Sequence, residues 1–226
     1  MEIDIGIAKS GRRAWGFDDI AIVPSRRTRD PDDVDLSWEI DAFTYDLPMM
    51  ASAMDSAVSP RTAIEIGRLG GQAVLNLEGL WTRYEDPAPV YAEIAAAEAG
   101  EATRTIQKVY QAPVQPELIT QRVQEVKEAG VLAAASLTPQ HVERLAPYAL
   151  AGGLDILVIQ GTVVSAEHVS TTSDPLDLFR FIADAEVPVI VGGCASYSGA
   201  LHLMRTGAVG VLVGVGPGAA CTSRGV

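Results

Sequence analysis

From residue 48 onward the chain alternates short, almost uninterrupted apolar runs with longer stretches in which apolar and polar residues recur at helical spacing. The apolar runs are residues 48–54, 72–77, 131–136, 154–160, 187–192 and 209–214, built mainly from Val, Ile, Leu and Ala. Strands buried on both faces have this composition, because helices cover the two sides of a parallel sheet. Between the runs, Ser59-Pro60 supplies a helix start: the Ser oxygen accepts from a free backbone N–H, and Pro at the next position has none to satisfy. Thr138-Pro139 and Asp174-Pro175 carry the same signal ahead of segments that end near Leu150 and Asp184. Further helices are expected over 89–99, 115–129 and 197–206, the last closed by Gly207. Residues 102–109 are expected to form an extra strand or an irregular loop. Residues 1–47 read as an irregular, charged lead-in around one apolar stretch, 20–24.

Repeated strand–helix units imply an α/β protein with a parallel sheet. Six strands are counted where a closed TIM (β/α)8 barrel needs eight. The expected architecture is therefore an incomplete TIM barrel in one domain, with residues 1–47 leading into units 1–6 over 48–226. A six-stranded doubly wound sheet also accounts for the count. Its dinucleotide-binding version is disfavoured, because no Gly-x-Gly-x-x-Gly follows the first strand.

Charge narrows the partners. With 29 acidic against 17 basic residues and a formal net charge of −12, the chain lacks the basic patches of a nucleic-acid binder. An anionic ligand would have to be held by local devices such as backbone N–H groups. The acidic start Met1-Glu2-Ile3-Asp4 is unlike a signal peptide, and no apolar run reaches the length of a membrane span. Two cysteines, Cys194 and Cys221, make a weak disulfide framework, so a reduced, cytoplasmic protein is expected.

The strongest chemical signal follows the sixth apolar run: Val213-Gly214-Val215-Gly216-Pro217-Gly218-Ala219-Ala220-Cys221-Thr222-Ser223-Arg224. Alternating glycines let a backbone turn through positive φ and approach a ligand closely. Successive N–H groups in such a loop can cradle a phosphate, and successive carbonyls a cation. The same amides favour the thiolate form that a nucleophilic cysteine needs. The plain alternative is a small buried cysteine beside a tight turn.

This loop is similar to the Gly-x-Gly-x-Gly-Ser-x-Cys-Thr-Thr-Arg catalytic loop of the IMP dehydrogenase/GMP reductase family, which follows the sixth barrel strand. Pro48-Met49-Met50-Ala51-Ser52-Ala53-Met54-Asp55-Ser56-Ala57-Val58 resembles that family's Pro-x-x-Ser-x-x-Met-Asp-Thr-Val segment. Gly16-Phe17-Asp18-Asp19-Ile20-Ala21-Ile22-Val23-Pro24 resembles its Thr-Phe-Asp-Asp-Val-x-Leu-x-Pro opening, and Gly70-Gly71 fits before the second strand. The resemblance implies that Cys221 attacks C2 of the purine of bound IMP or GMP, with hydride exchange between that carbon and NAD, or NADPH in a reductase. Ser223 would be the proton-handling hydroxyl. Ser52 and Met54 would touch the nucleotide's ribose and base, and Gly214, Gly216 and Gly218 would line the nucleotide. Backbone groups of Gly216, Gly218 and Cys221 would hold K+, and Gln160 and Thr162 would face the dinucleotide. A homotetramer is usual in such a family.

The sequence also departs from the family pattern. Ala219 stands where Ser is common, Leu212 where Lys or Arg is usual, Gln160-Gly161-Thr162 where Asp-Ser/Thr-Ser/Ala is, and Gly193-Cys194 where Asn-Val is. These substitutions weaken the expectation of ordinary dinucleotide binding and most resemble a divergent dehydrogenase-related subfamily. They keep open a non-catalytic nucleotide-binding barrel. Residues 78–130 are too few to include the regulatory tandem domain of many dehydrogenases, which fits that subfamily and the reductases. The seventh and eighth strands, the phosphate-binding glycines and the flap that activates water are expected to be missing, making the chain a fragment. His141, His168 and His202 lack metal-ligand spacing and read as surface or helix residues. Glu93 and Glu98 read as solvated, Asp18-Asp19 as structural and Cys194 as a small buried residue.

Overall fold

The computed structural model describes residues 2–12, 15, 19–23, 26–167 and 175–216. They fall into two compact units, residues 36–214 and residues 1–35 with 215–226. In the second of these, the lead-in expected to be irregular contains an antiparallel hairpin. It is formed by β1 (Glu2–Gly6) and β2 (Lys9–Arg12), with Ala8 at φ 56 in its turn. A short 3-10 turn follows at Pro31–Asp33.

The unit 36–214 opens with a second hairpin, β3 (Trp38–Ile40) and β4 (Phe43–Tyr45). Six parallel strands follow: β5 (Met50–Ala51), β6 (Gln72–Asn76), β7 (Ala134–Leu137), β8 (Ile156–Gln160), β9 (Val189–Cys194) and β10 (Gly210–Val213). Their order in the sheet is their order in the chain, and every neighbouring pair is parallel. The result is a curled half-barrel with the strand arrangement of six units of a TIM barrel. The sequential order excludes the doubly wound alternative, whose strand order reverses at a switch point.

Residue parity assigns the two faces. Val74, Ala134, Ile156, Val158 and Ile190 turn to one side and pack with Ile40 and Tyr45 of the β3–β4 hairpin. Leu75, Ala135, Leu137, Leu157, Ile159 and Val191 turn to the other side and meet the helices through Ile119, Val123, Leu145 and Leu203. Both faces are covered, which is why the strands read as continuous apolar runs.

The helices are α1 (Pro60–Arg68), α2 (Ala88–Ala96), α3 (Ala102–Val109), α4 (Pro116–Glu128), α5 (Val142–Ala151), α6 (Leu178–Asp184) and α7 (Tyr197–Met204). Ser59 caps α1 as its sequence requires: its Oγ accepts from Thr62 N at 3.1 Å, and Thr62 Oγ1 accepts from Ser59 N at 2.7 Å. Three expectations need correction. Residues 102–109 are helical, with Val109 buried beside Leu80 and Val90. Helix α5 begins at Val142, because the Thr138 hydroxyl is engaged by Glu78 at 3.2 Å. Helix α6 begins at Leu178, capped by Asp177, whose Oδ1 accepts from Arg180 N at 3.0 Å; Asp174 lies outside the described residues. Among the described residues no helix is long and apolar enough to cross a membrane.

Candidate active site at the strand ends

The hairpin closes the N-terminal end of the strands, so open chemistry belongs at the other end. Buried Gln72 at the start of β6 accepts from the Tyr45 hydroxyl at 2.9 Å and donates to Ala73 O at 2.7 Å and Leu132 O at 3.3 Å. Burial, with a smaller contribution from the negative charge of Asp155, pushes the Tyr45 phenol up to about 12. That end is a satisfied, neutral plug.

Toward the C-terminal end the hairpin-facing side changes character. Past Val74 comes Asn76, past Ala134 comes Ser136, and past Val158 comes Gln160. Ser136 Oγ and Gln160 Oε1 are 3.5 Å apart. Asn76 Nδ2 donates to Asp55 Oδ1 at 3.1 Å. One step higher, Glu78 bridges two strand exits, accepting from Thr138 N at 2.6 Å, from Thr138 Oγ1 and from His141 Nδ1. Burial works to raise the Glu78 carboxyl, but the hydrogen bonds from His141 and Thr138 outweigh it and hold it below its usual range.

The backbone at the β8, β9 and β10 exits is knitted tightly. Gly193 N donates to Gly161 O at 3.0 Å, Gly161 N to Gly192 O at 2.9 Å and Gly214 N to Cys194 O at 2.7 Å. Gly192 and Gly193, joined by a cis peptide, stand where side chains would collide. A Cβ on Gly192 would lie 2.4 Å from Leu212 Cβ, and one on Gly193 would lie 2.5 Å from Gly214 O. The replacement of Asn-Val by Gly193-Cys194 is thus matched to close approach of β10. Cys194 is buried, as expected, with its Sγ 3.7 Å from Leu212 O. A cavity of about 350 Å3 at these exits is lined by Cys194, Ser196, Ser165, Glu167 and His202.

The residues singled out in the sequence divide accordingly. Ser52 and Met54 leave β5 and are exposed, Gln160 ends β8 half-buried, and Thr162 follows it exposed. Gly214 leaves β10 at φ 124, a conformation suited to glycine. These five therefore occupy the C-terminal exits of three strands of one sheet. Gly216, at φ 61, falls in the other unit. Gly218, Cys221, Ser223 and Ala219 lie outside the described residues, as do His168 and Asp18. His141, expected as a surface residue, is half-exposed but bonded to Glu78, and Glu93 pairs with Lys108 at 2.8 Å. Sequence reasoning missed Asn76, Ser136, Glu78 and Asp55. The first two were accessible from strand alternation, since each lies two residues beyond an apolar position of the hairpin-facing side.

A parallel βα array with an apolar plug at one end and a polar rim at the other defines the class of α/β-barrel proteins whose sites are built from strand-exit loops. Known sequences specify the family. A profile of the IMP dehydrogenase/GMP reductase domain matches residues 14–226, and the chain belongs to this family. An uncharacterized oxidoreductase of Mycolicibacterium smegmatis is 44% identical over 219 residues, covering 95% of this chain and 58% of that protein. An uncharacterized oxidoreductase of Mycobacterium tuberculosis shows the same identity and coverage. A crystal structure of an IMP dehydrogenase/GMP reductase-like protein from Corynebacterium glutamicum is 45% identical with a TM-score of 0.89, over 95% of this chain and 58% of that one. The chain thus spans 58% of the length of these relatives.

Proposed function

We propose that this chain serves an oxidoreductase acting on a purine nucleotide, with IMP as substrate and NAD as hydride acceptor. The observation that carries the reading is the rim of Asn76, Ser136 and Gln160 on the sheet that leads, through Gly214, into the cysteine loop. Neutral amide and hydroxyl groups suit the edge of a purine, which offers both donors and acceptors. In the proposed reaction the Cys221 thiolate forms a bond to C2 of the purine. The hydrogen on C2 then leaves with its electron pair, and a bound nicotinamide supplies the acceptor. Water releases the resulting thioimidate as the 2-oxo nucleotide and restores the thiol, with Ser223 handling a proton. Ser52 and Met54 would hold ribose and base, and Gln160 and Thr162 would meet the dinucleotide. Among the described residues no group of three or more His, Cys, Asp or Glu side chains is suited to a metal. By the family resemblance, a monovalent cation such as K+ would rest on backbone oxygens of Gly216, Gly218 and Cys221, and the left-handed backbone at Gly216 fits such a turn.

The reductive direction, GMP with NADPH, is the second reading. It is favoured by the β6–β7 connection, whose described elements are a 3-10 turn and the helices α2, α3 and α4. Nicotinamide absorbance with IMP plus NAD, and with GMP plus NADPH, separates the two. A Cys221→Ala protein is expected to bind the nucleotide and lose turnover. No turnover in either direction, and no rise of the melting temperature with either nucleotide, overturns the reading in favour of a non-catalytic barrel.

A further inference from the structure

The segment between β6 and α4 carries a core of its own, separate from the two faces of the sheet. Leu80, Val90 and Val109 are buried there against Tyr84, Tyr91, Ile94 and Tyr110. Two of these tyrosines reach back to the loop that leaves β5. The Tyr91 hydroxyl donates to Asp55 O at 2.7 Å, and the Tyr110 hydroxyl donates to Asp55 Oδ2. Leu80 N donates to the same Oδ2 at 2.7 Å, and Asn76 to Oδ1. Asp55 thus collects four neutral donors from residues 21 to 55 positions away. Gly79 leaves the room: a Cβ there would lie 1.9 Å from Asp55 Oδ1. Ser56 and Ala57 of the loop and Ile94 and Ile106 of the helices line a cavity of about 640 Å3. The hydrogen bonds to Asp55 tie the loop to this segment.

We propose that Tyr110 and Tyr91, acting through Asp55, are positioning residues that fix the β5 exit loop and with it Ser52 and Met54. This rests on the reading that Ser52 and Met54 touch the nucleotide. Burial, and secondly its bond to Asp55, raises the Tyr110 phenol, and burial followed by the Asp55 charge brings Tyr91 to about 12. Both therefore remain donors throughout the neutral range. Removing one hydroxyl leaves the ring, and so the small core, in place.

The test compares Tyr110→Phe, Tyr91→Phe and Gly79→Ala with the unaltered protein in two measurements. One is hydrogen exchange of the backbone over residues 52–58; the other is the dissociation constant for IMP and GMP. The expected result is exchange over 52–58 faster by about tenfold, with exchange in β7 and β8 unchanged, and nucleotide affinity lower by about tenfold. Gly79→Ala must do the same, because it displaces the carboxylate while leaving every donor intact. Unchanged exchange over 52–58 in both tyrosine variants overturns the clamp, whatever the nucleotide result. Faster exchange with unaltered affinity overturns the positioning role. If the unaltered protein binds neither nucleotide, the purine reading fails and the positioning role fails with it, while the exchange data still show whether the clamp exists.

Discussion

Tyr45→Phe offers a direct measure of the plug beneath the site. Tyr45 is 5% exposed and its hydroxyl is 2.9 Å from Gln72 Oε1. Removing the oxygen leaves a buried amide carbonyl short of one donor, at a cost of about 1–3 kcal/mol below pH 9. The phenol is raised to about 12 in the fold against 10.0 ordinarily, so the folded state prefers the neutral phenol by about 2–3 kcal/mol. A raised value contributes stability that is complete below the unfolded value of 10.0 and lost as pH climbs through about 12. Urea unfolding followed from about pH 8 to about pH 12 should show the unaltered protein losing about 2–3 kcal/mol more than the variant. The gap between the two stability curves should begin to narrow near pH 10 and be smaller by about 1.4 kcal/mol at about pH 11. Parallel curves over that range would refute the argument, because the shared loss would then come from other groups, Tyr91 and Tyr110 among them.

Three further outcomes follow from other contacts. Gly192→Ala drives a Cβ to 2.7 Å from Leu212 O, a backbone atom that cannot move without opening β9 from β10; unfolding by urea should show a loss of about 1–3 kcal/mol or more. Ile159→Ala, at a fully buried position on the helix-facing side, should cost about 2–5 kcal/mol in the same measurement. Glu78→Gln acts on a carboxyl held below its ordinary 4.5, so its favourable contribution is present above that value and fades as pH falls through the lower folded one. Melting temperatures taken downward in pH should therefore fall more steeply for the unaltered protein than for the variant, and equal slopes would contradict the Glu78–His141 pairing.

The strands were legible because burial on both faces leaves a local mark, a run of Val, Ile and Ala that needs no knowledge of partners. The cap at Ser59 was legible for the same reason, since all its contacts lie within three residues. Thr138-Pro139 misled because the same hydroxyl had a better partner in Glu78, 60 residues earlier. Residues 102–109 were hard to place because the helix buries a single apolar residue, Val109, in a small local core, while Ile106 is exposed. The β5 strand is two residues long, so the apolar run 48–54 mostly marks an exit loop. Nothing local to Asp55 announces Tyr91 or Tyr110. Such contacts exist only after the β6–α4 segment has folded back, and single-sequence periodicity does not register them.

The strand order carries a consequence for synthesis. Each strand from β6 to β10 pairs with the one made immediately before it, and the β3–β4 plug is made before all of them. A unit leaving the ribosome therefore finds a finished edge waiting and never has to hold an unpaired strand open for a distant partner. Chain growth and sheet growth run in the same direction, so each new strand is added to the edge made just before it.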